Sequence, residues 1–278
     1  DDPLHARVSS TADNCLGAKC PDFAECFVVK ARRAALAADL VVVNHHLLFA
    51  DFLLKDEGFG EILPGSDAVV VDEAHQLPEL ATQFFGVRVS TRQLRDLATD
   101  AQNEADEWGD LPDLVSASEA LADAVQSLEA AFAMINGRLK LEDFVARPMV
   151  PKLIETTEER LFEFRQTVRA YEERSPALSG VFERAAAAYE RWSLLTAPEV
   201  LEGRVRWIEA RGRGGSFHQT PIEVAESFEK LRLTHAGAWI FTSATLSAAG
   251  DFGHFQRQLG LERAQTLALD SPFDYAEQ

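Results

Sequence analysis

The sequence predicts an α/β protein in which a parallel-sheet domain is interrupted by an α-helical insertion. Two observations predict it. Three short runs, Leu40–Val43, Ala68–Val71 and Ala238–Phe241, are wholly apolar and rich in β-branched or aromatic residues. That is the pattern of strands buried on both faces of a parallel sheet. Between the second and third runs, from about Thr91 to Pro198, Ala, Glu, Leu and Arg dominate and strand signals vanish.

The elements follow in chain order. Ser9-Ser10-Thr11-Ala12-Asp13-Asn14 is polar and turn-rich, and Phe23–Ala38 has helical composition. Leu40–Val43 is the first expected strand, stopped by Asn44-His45-His46 and followed by the apolar segment Leu47–Phe52. Gly58, Gly60, Pro64 and Gly65 break the chain before the second strand. That strand, Ala68–Val71, runs into Asp72-Glu73 and a helix-compatible stretch to Phe85, with a short extended piece at Val87–Val89. In the helical block, Leu114, Ala117, Leu121, Val125, Leu128 and Phe132 recur at spacings of three and four, one stripe of an amphipathic helix. Leu153, Leu161, Phe164, Val168 and Tyr171 mark a second stripe, and Pro151, Pro176 and Pro198 punctuate a series of about four helices. Strand signals return at Arg204–Glu209, with Val205 and Trp207 on one face. Gly212–Gly215 reads as a loop, and Thr220-Pro221-Ile222 as the start of a helix, with Pro near its first turn. The third buried strand, Ala238–Phe241, runs into Thr242-Ser243-Ala244-Thr245.

Bulk properties narrow the class. The chain of 278 residues is too long for one small core and suits two or three units. No apolar run approaches the roughly 20 residues of a membrane span, and no secretory signal opens the chain, so a cytoplasmic protein is expected. The net charge of −18 argues against a protein that coats nucleic acid electrostatically, but leaves room for a narrow basic track. All three cysteines fall within Cys15–Cys26, a clustering that reads first as a metal site.

Two motifs carry the chemistry. Asp72-Glu73-Ala74-His75 places adjacent acids at the carboxyl end of a buried strand, where α/β folds put ligands. Nucleotide hydrolysis needs one acid to hold Mg²⁺ and another group to orient the attacking water. Asp72 and Glu73 can divide those roles, with His75 reporting nucleotide state; an acidic helix N-terminus is the plainer reading of the same residues. Ser243-Ala244-Thr245 follows a second buried strand, where hydroxyls can bond a neighbouring acid or histidine, or simply cap a helix. Cys15-x4-Cys20-x5-Cys26 offers soft thiolates for zinc or an iron–sulfur cluster, with spacing loose for a zinc ribbon; His5 would complete a Cys3His zinc site. Phe23, Lys30, Arg32 and Arg33 near the cysteines have the aromatic and basic character of a single-strand DNA track. Asn44 and His45, at a strand end, are counted with them.

In this order, the cysteine run, Leu40–His45, Val69–His75 and Thr242–Leu246 resemble the XPD/DinG family of superfamily 2 iron–sulfur DNA helicases, its bacterial DinG and YoaA branch above all. His218-x-Thr220-Pro221-Ile222 and Ser271-Pro272-Phe273-Asp274 resemble that branch too. The resemblance implies an ATP-dependent 5′→3′ DNA helicase of repair or replication, with Asp72-Glu73-Ala74-His75 as its DEAH box. It implies a 4Fe–4S cluster for which Cys15, Cys20 and Cys26 are three of four ligands, plus ATP, Mg and single-stranded DNA. It also implies a division into iron–sulfur domain (1–36), RecA-like P-loop motor segment (37–90), α-helical Arch (91–200) and second motor segment (201–278). The chain has no Gly-x-x-x-x-Gly-Lys-Ser/Thr loop, so it is expected to be an internal fragment, inactive alone and binding a cluster weakly or not at all. Replication or repair proteins are the expected partners, and a monomer the expected state. The competing reading is a non-enzymatic interaction module built on the acidic helical block, with remnant motor motifs.

Overall fold

The computed structural model describes residues 15–56, 62–199, 201–234, 237–248 and 250–269. The expected turn at 9–14, the glycines at 58 and 60, His5 and the 271–274 motif lie outside these residues. The chain divides into two compact units. One takes the chain up to Lys30 and Gly86–Thr220; the other takes Ala31–Phe85 and the chain from Pro221 onward. Among the described residues, no helix is long and apolar enough to cross a membrane.

The second unit contains α1 (Phe27–Leu36) in part, α2 (His45–Asp56), β1 (Ala68–Val71), α3 (Leu77–Phe84), α9 (Ala225–Thr234), β6 (Ala238–Phe241) and α10 (Gly253–Leu259). β1 and β6 pair in parallel, Val71 opposite Phe241, although the paired positions Ala68 and Ala238 lie 170 residues apart, farther than any local signal reaches. One face of this pair carries Val69, Val71, Trp239 and Phe241 into a core with Phe49, Leu77, Leu80, Phe228, Phe255 and Leu259. Val70 and Ile240 alternate to the opposite, exposed face, as the two-residue period of a strand requires.

Leu40–Val43 is not a strand: no ladder partner adjoins it among the described residues, and Leu40 and Val42 are exposed. A β-branched run has strand character only where a neighbouring strand takes up its backbone groups. Asn44, expected to end that strand, instead starts α2: its Oδ1 accepts from the backbone N of Leu47 at 2.8 Å.

The other unit is helix-rich. It contains α4 (Thr91–Trp108), α5 (Pro112–Phe132), α6 (Leu141–Val145), α7 (Val150–Arg169) and α8 (Pro176–Thr196). It also contains β2 (Val87–Ser90), β3 (Gly137–Lys140), β4 (Arg204–Arg211) and β5 (Gly214–Pro221), which form a sheet in the order β2-β5-β4-β3. Both helical stripes face the core as expected: Leu114, Leu121, Val125, Leu128 and Phe132 of α5 are buried, as are Leu161, Phe164 and Val168 of α7. Serine hydroxyls cap two helix starts, Ser90 Oγ accepting from Gln93 N and Ser175 Oγ from Leu178 N, both at 3.1 Å.

Three expectations are corrected here. The helical block does contain a strand, β3, whose short Gly-Arg-Leu-Lys sequence carries little local strand signal and depends on pairing with β4. Gly214–Pro221 is strand β5 rather than loop and helix start; Pro221 ends the strand, and α9 begins at Ala225. β4, read as a strand within the second motor segment, shares a sheet with β2, β5 and β3. Periodicity shows that a segment is a strand but not which sheet it joins. Phe217 of β5 fixes the choice, because its buried ring meets Phe132 edge-on at 5.6 Å, Trp192 at 5.0 Å and Phe144 at 6.0 Å.

Candidate functional site

Asp72-Glu73-Ala74-His75 and Thr242-Ser243-Ala244-Thr245 leave the parallel pair β1–β6 side by side. The ladder continues beyond both strands: Thr242 N donates to Val71 O at 2.9 Å, and Ala74 N to Thr242 O at 3.0 Å. Ala74 is fully buried and pins the turn, so Asp72, Glu73 and His75 are held outward on the exposed rim. Glu73 lies in the left-handed region (φ 48°, ψ 41°), a conformation costing a non-glycine residue about 1–2 kcal/mol. Strain of this kind concentrates where a side chain must be aimed.

The side chains then bond pairwise across the two segments. Thr242 Oγ1 donates to Asp72 Oδ1 at 2.9 Å. Ser243 Oγ donates to Glu73 Oε2 at 3.3 Å and lies 2.9 Å from His75 Nδ1. His75 Nδ1 is also 3.1 Å from Glu73 Oε2, an arrangement served by a proton on Nδ1. Thr245 closes the network, its backbone N donating to Ser243 Oγ at 3.1 Å. Ser243 is thus a hub touching the acid, the histidine and its own turn. The sequence reading assigned the site to Asp72, Glu73, His75, Ser243, Ala244 and Thr245; it gave Thr242 no separate role. A hydroxyl one residue past a buried strand was the available signal.

Asp72 keeps its second carboxylate oxygen without a protein partner among the described residues, exposed at the carboxyl edge of the strand pair. A hard, oxygen-seeking cation fits such a group. The cysteines have the soft donor type that an iron–sulfur cluster takes. Cys15, Cys20 and Cys26 are free thiols, and among the described residues no three potential ligands are gathered for a metal ion.

The expected DNA-contacting residues lie on and before α1 and at the start of α2. Lys30 pairs with Glu25 at 2.7 Å and lies 5.7 Å from the Phe27 ring centre. Arg32 and Arg33 are exposed on α1, a helix that buries no residue. Phe23 is half-buried, Asn44 caps α2 and His45 is its first residue.

The sequence reading missed a second constellation, on the solvent side of the four-stranded sheet. His218 stacks on Trp207, centroids 3.9 Å apart and planes 7° from parallel. The Arg138 guanidinium lies over the same indole at 4.7 Å. Ser216 Oγ is 2.7 Å from His218 Nε2, and Trp207 Nε1 donates to Thr220 Oγ1 at 3.3 Å. Burial, reinforced by the charges of Arg88, Arg138 and Arg211 against the opposing Glu209, pushes His218 down to about 4. Burial alone would raise Glu209, but Arg138 and Arg211 outweigh it and hold its carboxyl below the usual range. Alternation in β4 foretold that Val205 and Trp207 share a face; nothing local foretold the histidine from β5.

No family model matches the chain. The chain is similar over its whole length to the ATP-dependent DNA helicase YoaA of Haemophilus influenzae, with 39% identity over 280 residues covering 44% of that protein. It is 41% identical over 273 residues to YoaA of Escherichia coli, covering 98% of this chain and 43% of that one. A third relative, the ATP-dependent DNA helicase DinG of Photobacterium profundum, is 28% identical over 301 residues, covering 92% of this chain and 42% of that one. The chain thus spans less than half the length of these relatives. The resemblance drawn from the motifs is borne out.

Proposed function

We propose that this chain, a homologue of the YoaA and DinG helicases along its full length, is part of an ATP-dependent 5′→3′ DNA helicase and carries the hydrolytic carboxylates of its motor. The observation that carries the proposal is the bonded pairing of two motifs 170 residues apart, acids from β1 against hydroxyls from β6. A strand pair with an adjacent acid couple at its carboxyl edge suits nucleotide hydrolysis.

In this reading the β1–β6 unit belongs to a RecA-like motor domain, and the helix-rich unit is the Arch. Bound Mg-ATP supplies the phosphoryl group and the cation that neutralises its developing charge. Asp72 would hold the cation through its free oxygen while Thr242 fixes its other oxygen. Glu73, aimed by its left-handed backbone, orients and deprotonates water. Ser243 and His75 share the Glu73 carboxylate, so a change at Glu73 is felt on β6 and the segment after it. The proposal extends to Cys15, Cys20 and Cys26 as three ligands of a 4Fe–4S cluster, and to single-stranded DNA as the polymer translocated.

The 278 residues contain no phosphate-cradling Gly-Lys-Ser/Thr loop, so the chain by itself is expected to turn over no ATP, with or without single-stranded DNA. Robust turnover by the chain would overturn the fragment reading. In a complete helicase containing it, Glu73→Gln is expected to lower kcat about 100-fold or more while nucleotide binding is kept. Unchanged kcat would remove Glu73 from the chemistry.

A further inference from the structure

We propose that the solvent face of the β2-β5-β4-β3 sheet is a docking surface for the phosphate backbone of single-stranded DNA. The inference rests on the helicase reading and adds a site to it, separate from the candidates on α1.

Strand register defines the face. Arg88 lies opposite His218 across β2 and β5, and Arg138 and Lys140 lie opposite Glu209 and Trp207 across β3 and β4. The Trp207–His218 stack joins the two halves. With Arg211, the strand positions of this face hold four cations and one carboxylate. The whole chain has 27 basic and 45 acidic side chains, so five average charged positions would hold about three acids. The one acid is already occupied: Glu209 is 14% exposed, with Arg138 and Arg211 each 3.3 Å away. Local charge is therefore positive where the molecule as a whole is strongly negative.

The face is also rigid. The Arg138 guanidinium lies over Trp207, and Trp207 stacks on His218, so the cation is held against a ring rather than on a free stem. Such preorganisation reduces the ordering cost of binding. Three interstrand spacings separate β2 from β3, about 14 Å. That length spans a few consecutive phosphates of one strand. The indole already packs against His218 and Arg138, so the surface reads charge and backbone rather than stacked bases, as a sequence-indifferent motor requires.

The test is fluorescence anisotropy of labelled oligothymidylate with the 278-residue chain over a sodium chloride series. The variants combine Arg88→Gln, Lys140→Gln and Arg211→Gln, and in parallel the three Glu replacements. Arg138, Trp207 and His218 stay in place to keep the stack, and circular dichroism checks folding. The Gln triple variant should bind more weakly, with the slope of log K against log salt flatter by about 2, near 0.7 per lost contact. The Glu triple variant should weaken binding further. Wild-type affinity and slope in the folded Gln variant would overturn the proposal. If Arg32→Glu with Arg33→Glu abolishes binding while the Gln variant does not alter it, the track lies on α1; this inference falls and the helicase reading stands. If the wild-type chain binds no oligothymidylate at about 50 mM salt, this inference falls, and the helicase reading is judged by the Glu73 kinetics alone. Equal competition by polyglutamate would show an acidic-protein surface and also overturn it.

Discussion

Lowering the pH should loosen the helix-rich unit through His218, and the size of the effect can be worked from its surroundings. The ring is half-buried between Trp207 and the sheet, with Arg88, Arg138 and Arg211 opposing its charge, and its pKa falls from 6.5 to about 4. In the unfolded chain it returns to about 6.5. Below pH 6.5 the unfolded state takes up a proton that the folded state refuses until about pH 4. Stability is therefore fully present above 6.5, is lost as pH falls towards 4, and is level below that. The interval corresponds to about 3 kcal/mol at roughly 1.4 kcal/mol per pH unit; solvent screening at a half-open ring reduces the expectation to about 1–2 kcal/mol. Urea unfolding at pH 7.5 and pH 5, followed by circular dichroism, measures the loss. The His218→Gln variant corrects for other titrating groups. Over this window, which stops short of the folded pKa, the wild type should lose about 1 kcal/mol more than the variant, and the imidazole carbon proton of His218 should titrate by NMR well below 6. An NMR midpoint near 6.5, or equal losses in both proteins, would refute the argument.

The other expectations concern packing and capping. Phe217→Ala removes the ring that ties β5 to Phe132, Phe144 and Trp192, and should cost about 3–5 kcal/mol, read as a lowered urea midpoint of the helix-rich unit. Phe217→Leu should restore more than half of that loss; near-wild-type stability of the Ala variant would show that the core is not organised around this ring. Ser175→Ala deletes the cap on Leu178 N and should cost about 1 kcal/mol in thermal unfolding. Ser175→Asn should be close to wild type, and Ser175→Asp lower, because the serine hydroxyl also meets Glu104 at 2.8 Å. Equal stability of all three would remove the capping argument.

Local pattern was enough for much of this protein. The stripes of α5 and α7 needed only three- and four-residue spacing, since a helix exposes that period directly to the core. The two chemical motifs were legible because each is a polar stop on an apolar strand, and a strand's end is where backbone ladders cease and side chains reach solvent. Leu40–Val43 misled for the complementary reason: its residues suit a strand, but no neighbouring strand completes the ladder among the described residues.

Asp72-Glu73-Ala74-His75, Thr242-Ser243-Ala244-Thr245 and the helical stripes were determined by the sequence itself, since spacing and residue type are local quantities. Their meeting was decided by tertiary structure. The parallel register of β1 with β6 sets Thr242 on Asp72 and Ser243 on Glu73, a choice made by non-local hydrogen bonds and a shared core. The sheet face was decided in the same way. Arg88, Arg138, Trp207 and His218 come from four strands, and only cross-strand pairing turns four scattered residues into one stacked, positively charged surface. Charge and burial act through space, so neither the low pKa of His218 nor the local reversal of a net charge of −18 could be read along the chain.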